Sequence, residues 1–214
     1  MDWPALREEM VDVQIVRRGI SNAALLAALR AVPRHSFVPE PLRAHSYEDR
    51  ALPIGHGQTI SQPYMVAVLL NALNLRPTDK VLEVGTGSGY EAALLGRLAR
   101  EVHSMEMNTA LAAQAERRLA RENDSTVFIH VGDGSQGWAA AAPYDAIVVA
   151  AAAPEVPPPL RVQLKAGGRL VLPIKRGKDD QLVLIEWKAG CWTEKELGPC
   201  AFVPLQGEYG MAAR

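Results

Sequence analysis

The sequence predicts an α/β fold: a doubly wound, mostly parallel sheet of seven strands, preceded by a helical extension. The first observation is an apolar run, Val81–Val84, that leads directly into a glycine-rich turn and then into a predicted helix, which is the order of a βα unit. The second is that predicted strands and helices alternate from there on, as in parallel sheets. The third is the continuous apolar run Tyr144–Ala150, which is typical of a strand buried on both faces.

The first 60 residues predict helices followed by loops. Residues 5–18 have helical spacing, with Leu6 and Met10 on one face. A second helix is predicted over Ala23–Ala31, because Ser and Asn precede it as capping residues and a proline follows it. Residues 33–60 are rich in proline and glycine, and predict loops with one short strand near 52–54.

The rest of the chain predicts alternating strands and helices. Beyond the strand at Val81, the predicted strands are Glu101–Glu106, Thr126–Val131, Tyr144–Ala150, Arg169–Ile174, Gln181–Trp187 and Ala201–Leu205, the last two joined by a turn-rich stretch over 188–199. The predicted helices are Gln62–Leu73, Ala92–Leu98, Thr109–Arg121 and a short one over Leu160–Leu164.

Three glycines follow the first strand of the unit at a spacing of two. Gly85, Gly87 and Gly89 form G-x-G-x-G, whereas dinucleotide sites carry G-x-G-x-x-G. The difference favours a ligand without a pyrophosphate, such as S-adenosylmethionine, and disfavours a nicotinamide-dependent dehydrogenase. A tight turn with no ligand is the structural alternative.

Acidic residues mark the ends of the next two predicted strands. Glu106 lies 21 positions after Gly85, close to the roughly 20-residue interval at which a carboxylate meets ribose hydroxyls. Asp133 stands between two glycines after the following strand, where it suits an adenine amino group. The structural alternative for Glu106 is a helix start, and that for Asp133 is a turn. Because the carboxyl ends of parallel strands meet at one edge, we expect these residues to lie together.

Composition sets the remaining limits. The 214 residues predict a single domain over 1–214. A net charge of −1 predicts no nucleic acid or membrane partner. Two cysteines and five histidines without ligand spacing predict neither a disulfide framework nor a metal site. The absence of a long apolar stretch or a basic-then-apolar leader predicts a cytoplasmic protein.

The segment Gly55–Ala67 is not required by any rule of folding, and it closely resembles the signature of protein-L-isoaspartate (D-aspartate) O-methyltransferases. The resemblance extends from about residue 8 to 207. It is also carried by Val32–Glu40, Leu52–Gly55, Val81–Tyr90, Gly132–Gly134, Ala142–Asp145, Gly167–Val171 and Phe202–Leu205. Two departures are Lys175-Arg176, where the family often has two glycines at or near these positions, and Gln206, where a threonine is common.

The resemblance implies a Rossmann-like methyltransferase in which residues 1–60 contribute to the active site and 61–214 form the core with C-terminal substrate-binding strands. It implies transfer of a methyl group from S-adenosyl-L-methionine to the free carboxylate of L-isoaspartyl residues in damaged proteins and peptides, with D-aspartyl residues as a further acceptor that stays open. The products are S-adenosyl-L-homocysteine and a methyl ester, which closes to a succinimide without catalysis. We expect a monomer.

The resemblance also implies roles for single residues. Ser61 matches the active-site serine. The implied cofactor contacts are Gln58, Thr59, Ile60 and Ser61 at the methionine end, Glu83, Gly85, Thr86, Gly87 and Gly89 in and before the glycine turn, Glu106 at the ribose, Asp133 and Gly134 at the adenine, and also Met107. The implied substrate contacts are Leu52, Pro53, Ile54, Val203, Pro204 and Leu205.

The chemistry needs no strong base, because a carboxylate with a pKa of about 4 is already ionised at pH 7. We therefore expect Ser61 to orient the incoming carboxylate, while its structural alternative is to cap the helix over 62–73. Two other functions stay open: a methyltransferase of the same fold acting on a different peptide or small-molecule carboxylate, and a binding protein that keeps a nucleoside pocket without catalysis.

Overall fold

A computed structural model describes residues 1–122, 125–188 and 190–211. Residues 123–124, 189 and 212–214 of the predicted 1–214 domain, and therefore residue 189 of the stretch predicted over 188–199, lie outside the described residues. Its centre is a seven-stranded sheet in the order β5-β4-β3-β6-β7-β8-β9. The strands are β3 (Lys80–Val84), β4 (Glu101–Glu106), β5 (Val127–Val131), β6 (Tyr144–Val149), β7 (Leu164–Arg176), β8 (Asp179–Lys188) and β9 (Cys191–Cys200). Four strand pairs are parallel and the last two are antiparallel. The predicted α/β class and mostly parallel sheet are confirmed.

Both faces of this sheet are covered. Val81 of β3 and Val148 of β6 belong to one hydrophobic cluster, while Leu82 and Ile147 belong to another on the opposite face, because successive residues of a strand point to opposite sides. The covering helices are α1 (Trp3–Glu9), α2 (Ala23–Ala31), α3 (Pro63–Leu73), α4 (Tyr90–Leu98), α5 (Thr109–Arg121) and α6 (Pro158–Gln163). Within the described ranges, no helix is long and apolar enough to span a bilayer.

The N-terminal extension packs onto the core through its predicted apolar residues. α1 continues as a π-helical turn over Met10–Ile15 and a 3₁₀ turn over Val16–Arg18, so the chain stays helical across the predicted 5–18 range. Asn22 caps α2 by accepting a hydrogen bond from the Leu25 N–H at 3.1 Å, as its position predicts. Further 3₁₀ turns follow at Arg34–Phe37 and Glu40–His45.

A short antiparallel hairpin lies between the extension and the core, where the sequence predicts only one strand. β1 (Leu52–Gly55) pairs with β2 (Gln58–Ile60). The two-residue loop His56-Gly57 has positive φ at both positions, 54° and 70°, as the tightest hairpin turns require. The glycines on either side of His56 were the sequence signal for this turn.

The predicted last strand is wrong. The seventh strand is Cys191–Cys200, which pairs with β8 across the stretch predicted to be turns. The side chains of Cys191–Glu196 are all exposed, so this edge strand carries no apolar alternation by which it could be recognised. Residues 201–205 leave the sheet, and Pro204 instead bridges to Ala152 beyond the end of β6. The boundary at Leu160–Leu164 also differs, since β7 already begins at Leu164.

Candidate functional site

A cleft of about 810 Å³, partly open to solvent, lies at the carboxyl ends of β3, β4 and β6. This edge of an open α/β sheet is where ligands bind. The cleft is lined by Gln58, Thr59, Ile60, Ser61, Val66, Val84, Gly85, Thr86, Gly87, Ser88, Tyr90, Glu91, Met105, Glu106, Met107, Gly134, Ala150, Ala151, Val203, Pro204, Leu205 and Gln206.

The glycine turn forms one wall of the cleft and is tied to the neighbouring strand. The Gly85 and Thr86 N–H groups both donate to the Met105 carbonyl of β4, at 2.9 and 3.2 Å. Gly89 has a φ of 86°, and a Cβ there would lie 3.1 Å from the Ala115 Cβ of α5. A side chain at this position would therefore be strained twice, by the backbone conformation and by the contact. The turn needs a glycine where α4 begins beside α5.

Glu106, the last residue of β4, fixes the opposite side of the same turn. Its Oε2 accepts from the Gly87 N–H at 2.8 Å, and its Oε1 accepts from the Asn108 N–H at 2.9 Å. The side chain is 8% exposed. Each oxygen of an ionised carboxylate has two acceptor sites, so both keep one for a ligand hydroxyl. The predicted meeting of Gly87 and Glu106 is present.

Ser61 follows β2 and lies on the wall that faces the glycine turn. Its carbonyl accepts from Arg34 Nη2 at 2.7 Å, while Arg34 Nε donates to the Ser46 carbonyl at 2.7 Å. Arg34 is completely buried against the Tyr90 ring, 4.9 Å from its centroid, and this burial lowers the pKa of Arg34 to about 10. Gln62, and not Ser61, occupies the capping position of α3, so the structural alternative for Ser61 is not met.

A second, smaller cavity of about 420 Å³ adjoins the cleft. The two share Thr59, Ser61, Ala150 and Val203 in their walls, and the second adds Ala51, Gln62, Met65, Ala201 and Phe202. The shared wall is held by backbone pairing, because Ala152 N–H donates to the Val203 carbonyl and Leu205 N–H donates to the Ala152 carbonyl, both at 2.8 Å. One group of residues therefore borders both cavities.

A family model described as protein-L-isoaspartate(D-aspartate) O-methyltransferase matches residues 5–210. The chain belongs to this family. A relative from Methanoculleus marisnigri, named protein-L-isoaspartate O-methyltransferase, is 52% identical over 204 residues, which are 95% of this chain and 93% of the relative.

Two solved structures agree with the family membership. One named protein-L-isoaspartate O-methyltransferase has a TM-score of 0.86 at 29% identity, over 95% of this chain and 67% of that one. A Plasmodium falciparum protein of the same description, solved with S-adenosyl-L-homocysteine, has a TM-score of 0.81 at 26% identity, over 96% of this chain and 99% of that one. Family membership and this complex make the chain an S-adenosylmethionine-dependent methyltransferase.

The residues present fit that cofactor. The Glu106 carboxylate offers acceptors at a strand end, where a ribose would meet them. Gly134 presents only backbone to the cleft. A side chain could not replace it without a shift, since a Cβ at this position would lie 2.7 Å from Val84 Cγ1. Acidic residues border the cleft at Glu91 and Glu106, which suits a ligand that carries positive charge.

Three of the predicted cofactor residues do not line the cleft. Glu83 is fully buried in β3, and Gly89 serves the close approach of α4 and α5. Asp133 accepts hydrogen bonds from the Ser135 N–H at 2.9 Å and the Glu208 N–H at 2.8 Å. Although burial raises the pKa of Asp133, the hydrogen bonds from Ser135 and Glu208 outweigh it and lower the pKa. This carboxylate holds the loop after β5 to the C-terminal segment.

The predicted substrate residues divide into two groups. Val203, Pro204 and Leu205 line the cleft. In β1, Leu52 and Ile54 point into the core and Pro53 is exposed. Ile54 packs beside the glycine turn, with its Cδ1 3.5 Å from the position of a Cβ on Gly87.

Several residues that line the cleft were not predicted from the sequence. Tyr90 and Glu91 follow the glycine motif directly, and α4 turns both toward the cleft. Gln206, one of the departures from the family pattern, also lines it. Arg34 lies within a segment that carries the resemblance, but a buried arginine aimed at backbone carbonyls has no sequence signal of its own.

We predict that Arg34→Met destabilises the protein by about 2 kcal/mol or more. The buried carbonyls of Ser46 and Ser61 lose charge-assisted hydrogen bonds, each worth about 1.5–3 kcal/mol. The measurement is the free energy of unfolding in urea. Arg50→Met is the matched control, since Arg50 is 53% exposed and pairs with Glu48 on the surface; it should lose less than about 1 kcal/mol. Equal losses would contradict the assigned role of Arg34.

Proposed function

We propose that this enzyme transfers the methyl group of S-adenosyl-L-methionine to the free carboxylate of L-isoaspartyl residues in damaged proteins and peptides. The observation that carries the proposal is the wall shared by the two cavities. Thr59, Ser61 and Val203 border the large cleft on one side and the smaller cavity on the other. A methyl donor and a peptide carboxylate bound on the two sides would meet at that wall.

Cofactor binding is assigned to the residues of the cleft that the sequence predicts. The backbone of Gly85 and Gly87 would lie against the ligand, because no side chain keeps it at a distance. Glu106 would accept from ribose hydroxyls, Gly134 and Met107 would flank the base, and Gln58–Ser61 would border the methionine end. The buried Glu83 and the hydrogen-bonded Asp133 support this arrangement from behind.

When bound, the cofactor supplies an activated methyl group on a sulfonium centre. The acceptor is a carboxylate and is already ionised at neutral pH, because its pKa is near 4. The protein has no proton to remove and acts by positioning, which contributes up to roughly 7–11 kcal/mol in favourable cases. We assign the Ser61 hydroxyl to donate a hydrogen bond to one carboxylate oxygen and so aim the other at the methyl carbon.

Substrate recognition is assigned to main-chain contacts along Val203–Leu205. The carbonyl of Val203 and the N–H of Leu205 are engaged with Ala152, and Pro204 has no N–H, so an extended peptide would pair there through its own donors. The exposed Pro53 of β1 stands on the neighbouring hairpin. Recognition of the substrate through its backbone suits isoaspartyl residues, because they occur in many different sequences.

We also propose that the enzyme acts as a cytoplasmic monomer, without nucleic acid or membrane partners. The net charge of −1 offers no electrostatic attraction for a polyanion.

The first test is transfer of labelled methyl to an isoaspartyl peptide, with the aspartyl peptide of the same sequence as control. We expect label on the isoaspartyl peptide alone, released as volatile methanol in mild base, because a carboxyl methyl ester hydrolyses there. Label on the aspartyl peptide, or on a small-molecule carboxylate in preference to both, would establish the alternative methyltransferase function instead.

A second test separates positioning from binding at Ser61. We predict that Ser61→Ala lowers kcat for the isoaspartyl peptide at least tenfold, as loss of one oriented hydrogen bond of roughly 1.4 kcal/mol would. The dissociation constant of S-adenosylhomocysteine should change less than threefold. Ser21→Ala, on an exposed residue of the N-terminal segment, is the control. Matching losses of turnover and cofactor affinity in Ser61→Ala would contradict the positioning role.

A further inference from the structure

Glu91 is a buried acid at the wall of the cofactor cleft, and one of its carboxylate oxygens has no partner among the described residues. It lies in the first turn of α4, directly after the glycine motif, and is 7% exposed. Its side chain lines the cleft, and its Oε1 accepts no hydrogen bond from the described part of the chain. Glu106 differs, because backbone N–H groups satisfy both of its oxygens.

Two cations on elements that pack around the start of α4 are engaged with backbone carbonyls. One is Arg118 of α5, which donates to the Ser88 carbonyl at 3.0 Å. Glu83 on β3 is a second buried acid with an unpartnered oxygen, although its Oε2 accepts from the Ser104 hydroxyl. Glu106 on β4 is a third acid. The other cation is the buried Arg34, which packs on the ring of Tyr90 and donates to the carbonyls of Ser46 and Ser61.

Burial has a clear effect on the protonation of Glu91. It raises the pKa of Glu91 to about 8. It also raises the pKa of Glu83, and the neighbouring Glu91 raises it further. An isolated buried carboxylate is costly to ionise. At pH 7 the free enzyme therefore holds Glu91 mainly as a neutral acid, next to a cleft whose cofactor is a cation.

We propose that Glu91 binds the ammonium group at the methionine end of the cofactor, and that cofactor binding releases the proton that Glu91 carries in the free enzyme. The inference rests on the proposed placement of the methionine end near Ser61, which shares the cleft with Glu91. An ammonium offers three N–H donors to the unpartnered oxygen, whereas the sulfonium offers none. The Glu91 O–H bond breaks, its proton passes to solvent, and the carboxylate pairs with the ammonium.

The pH dependence of binding follows from this proton. Below pH 8 the free enzyme must lose a proton to bind, so affinity rises with pH by up to tenfold per unit and levels off near pH 8. Above that value the ligand's own amino group, with a pKa of about 7.7–8.0 as for a peptide α-amino group, loses its charge. The range from pH 6 to 7.5 therefore isolates Glu91.

The test is calorimetric titration of the full chain with S-adenosylhomocysteine at pH 7, in buffers of different ionisation enthalpy. The wild type should release close to one proton per ligand bound. Glu91→Gln keeps the shape of the side chain and should release almost none, with an affinity that changes less than twofold between pH 6 and 7.5. Glu116→Gln, on the exposed face of α5, should behave as the wild type.

Two further measurements decide between neighbouring explanations. If Glu91→Gln still releases the proton and Glu83→Gln does not, the role belongs to Glu83 and the proposal is overturned. If S-adenosylmethionine releases a proton and S-adenosylhomocysteine does not, the sulfonium is the partner and the ammonium assignment is wrong. A wild type that binds neither ligand would contradict the cofactor placement itself, which is a different failure from that of Glu91.

Discussion

The site depends on the hydrogen bond from the Gly87 N–H to Glu106. It joins the glycine turn after β3 to the end of β4. The Gly85 and Thr86 N–H groups join the same turn to β4 a second time, because both donate to the carbonyl of Met105, the residue before Glu106. Because the turn is fixed, α4 begins at a fixed place and angle, and its first residues face the cleft. Tyr90 then forms the surface on which Arg34 packs, and Arg34 holds the carbonyl of Ser61. A chain of direct contacts thus connects the cofactor wall to the proposed catalytic serine.

The electrostatics of the cleft suit a positively charged ligand. Three acids, Glu83, Glu91 and Glu106, lie at or just behind its walls, and the one buried arginine nearby is engaged with carbonyl groups. Methyl transfer from a sulfonium to a carboxylate neutralises both charges. Ser61, a neutral donor at the shared wall, fits the anionic acceptor.

Much of the fold could be predicted because the buried strands carry their own signal. The apolar run of β6 and the glycine turn identified the sheet edge. The spacing from Gly85 to Glu106 predicted that Glu106 lies beside the glycine turn, where it accepts from the Gly87 N–H. The family resemblance supplied Ser61, which no local pattern indicates. The edge strand β9 could not be predicted, since hydrogen bonds to β8 stabilise it while its side chains stay in water. Glu91 looked like an ordinary helix residue, and only the packing of α4 shows that it is buried.

The central claim is that the methyl donor and the carboxylate meet beside Thr59, Ser61 and Val203, the residues that line both cavities. A crystal structure of this protein with S-adenosylhomocysteine and an isoaspartyl peptide tests it directly. We predict that the ligand sulfur in the large cleft faces the isoaspartyl carboxylate in the smaller cavity with no side chain between them, and that the carboxylate lies within hydrogen-bonding distance of the Ser61 hydroxyl. A peptide bound elsewhere, or a cofactor with its adenine at Ser61 and its amino acid end at Gly134, would contradict it.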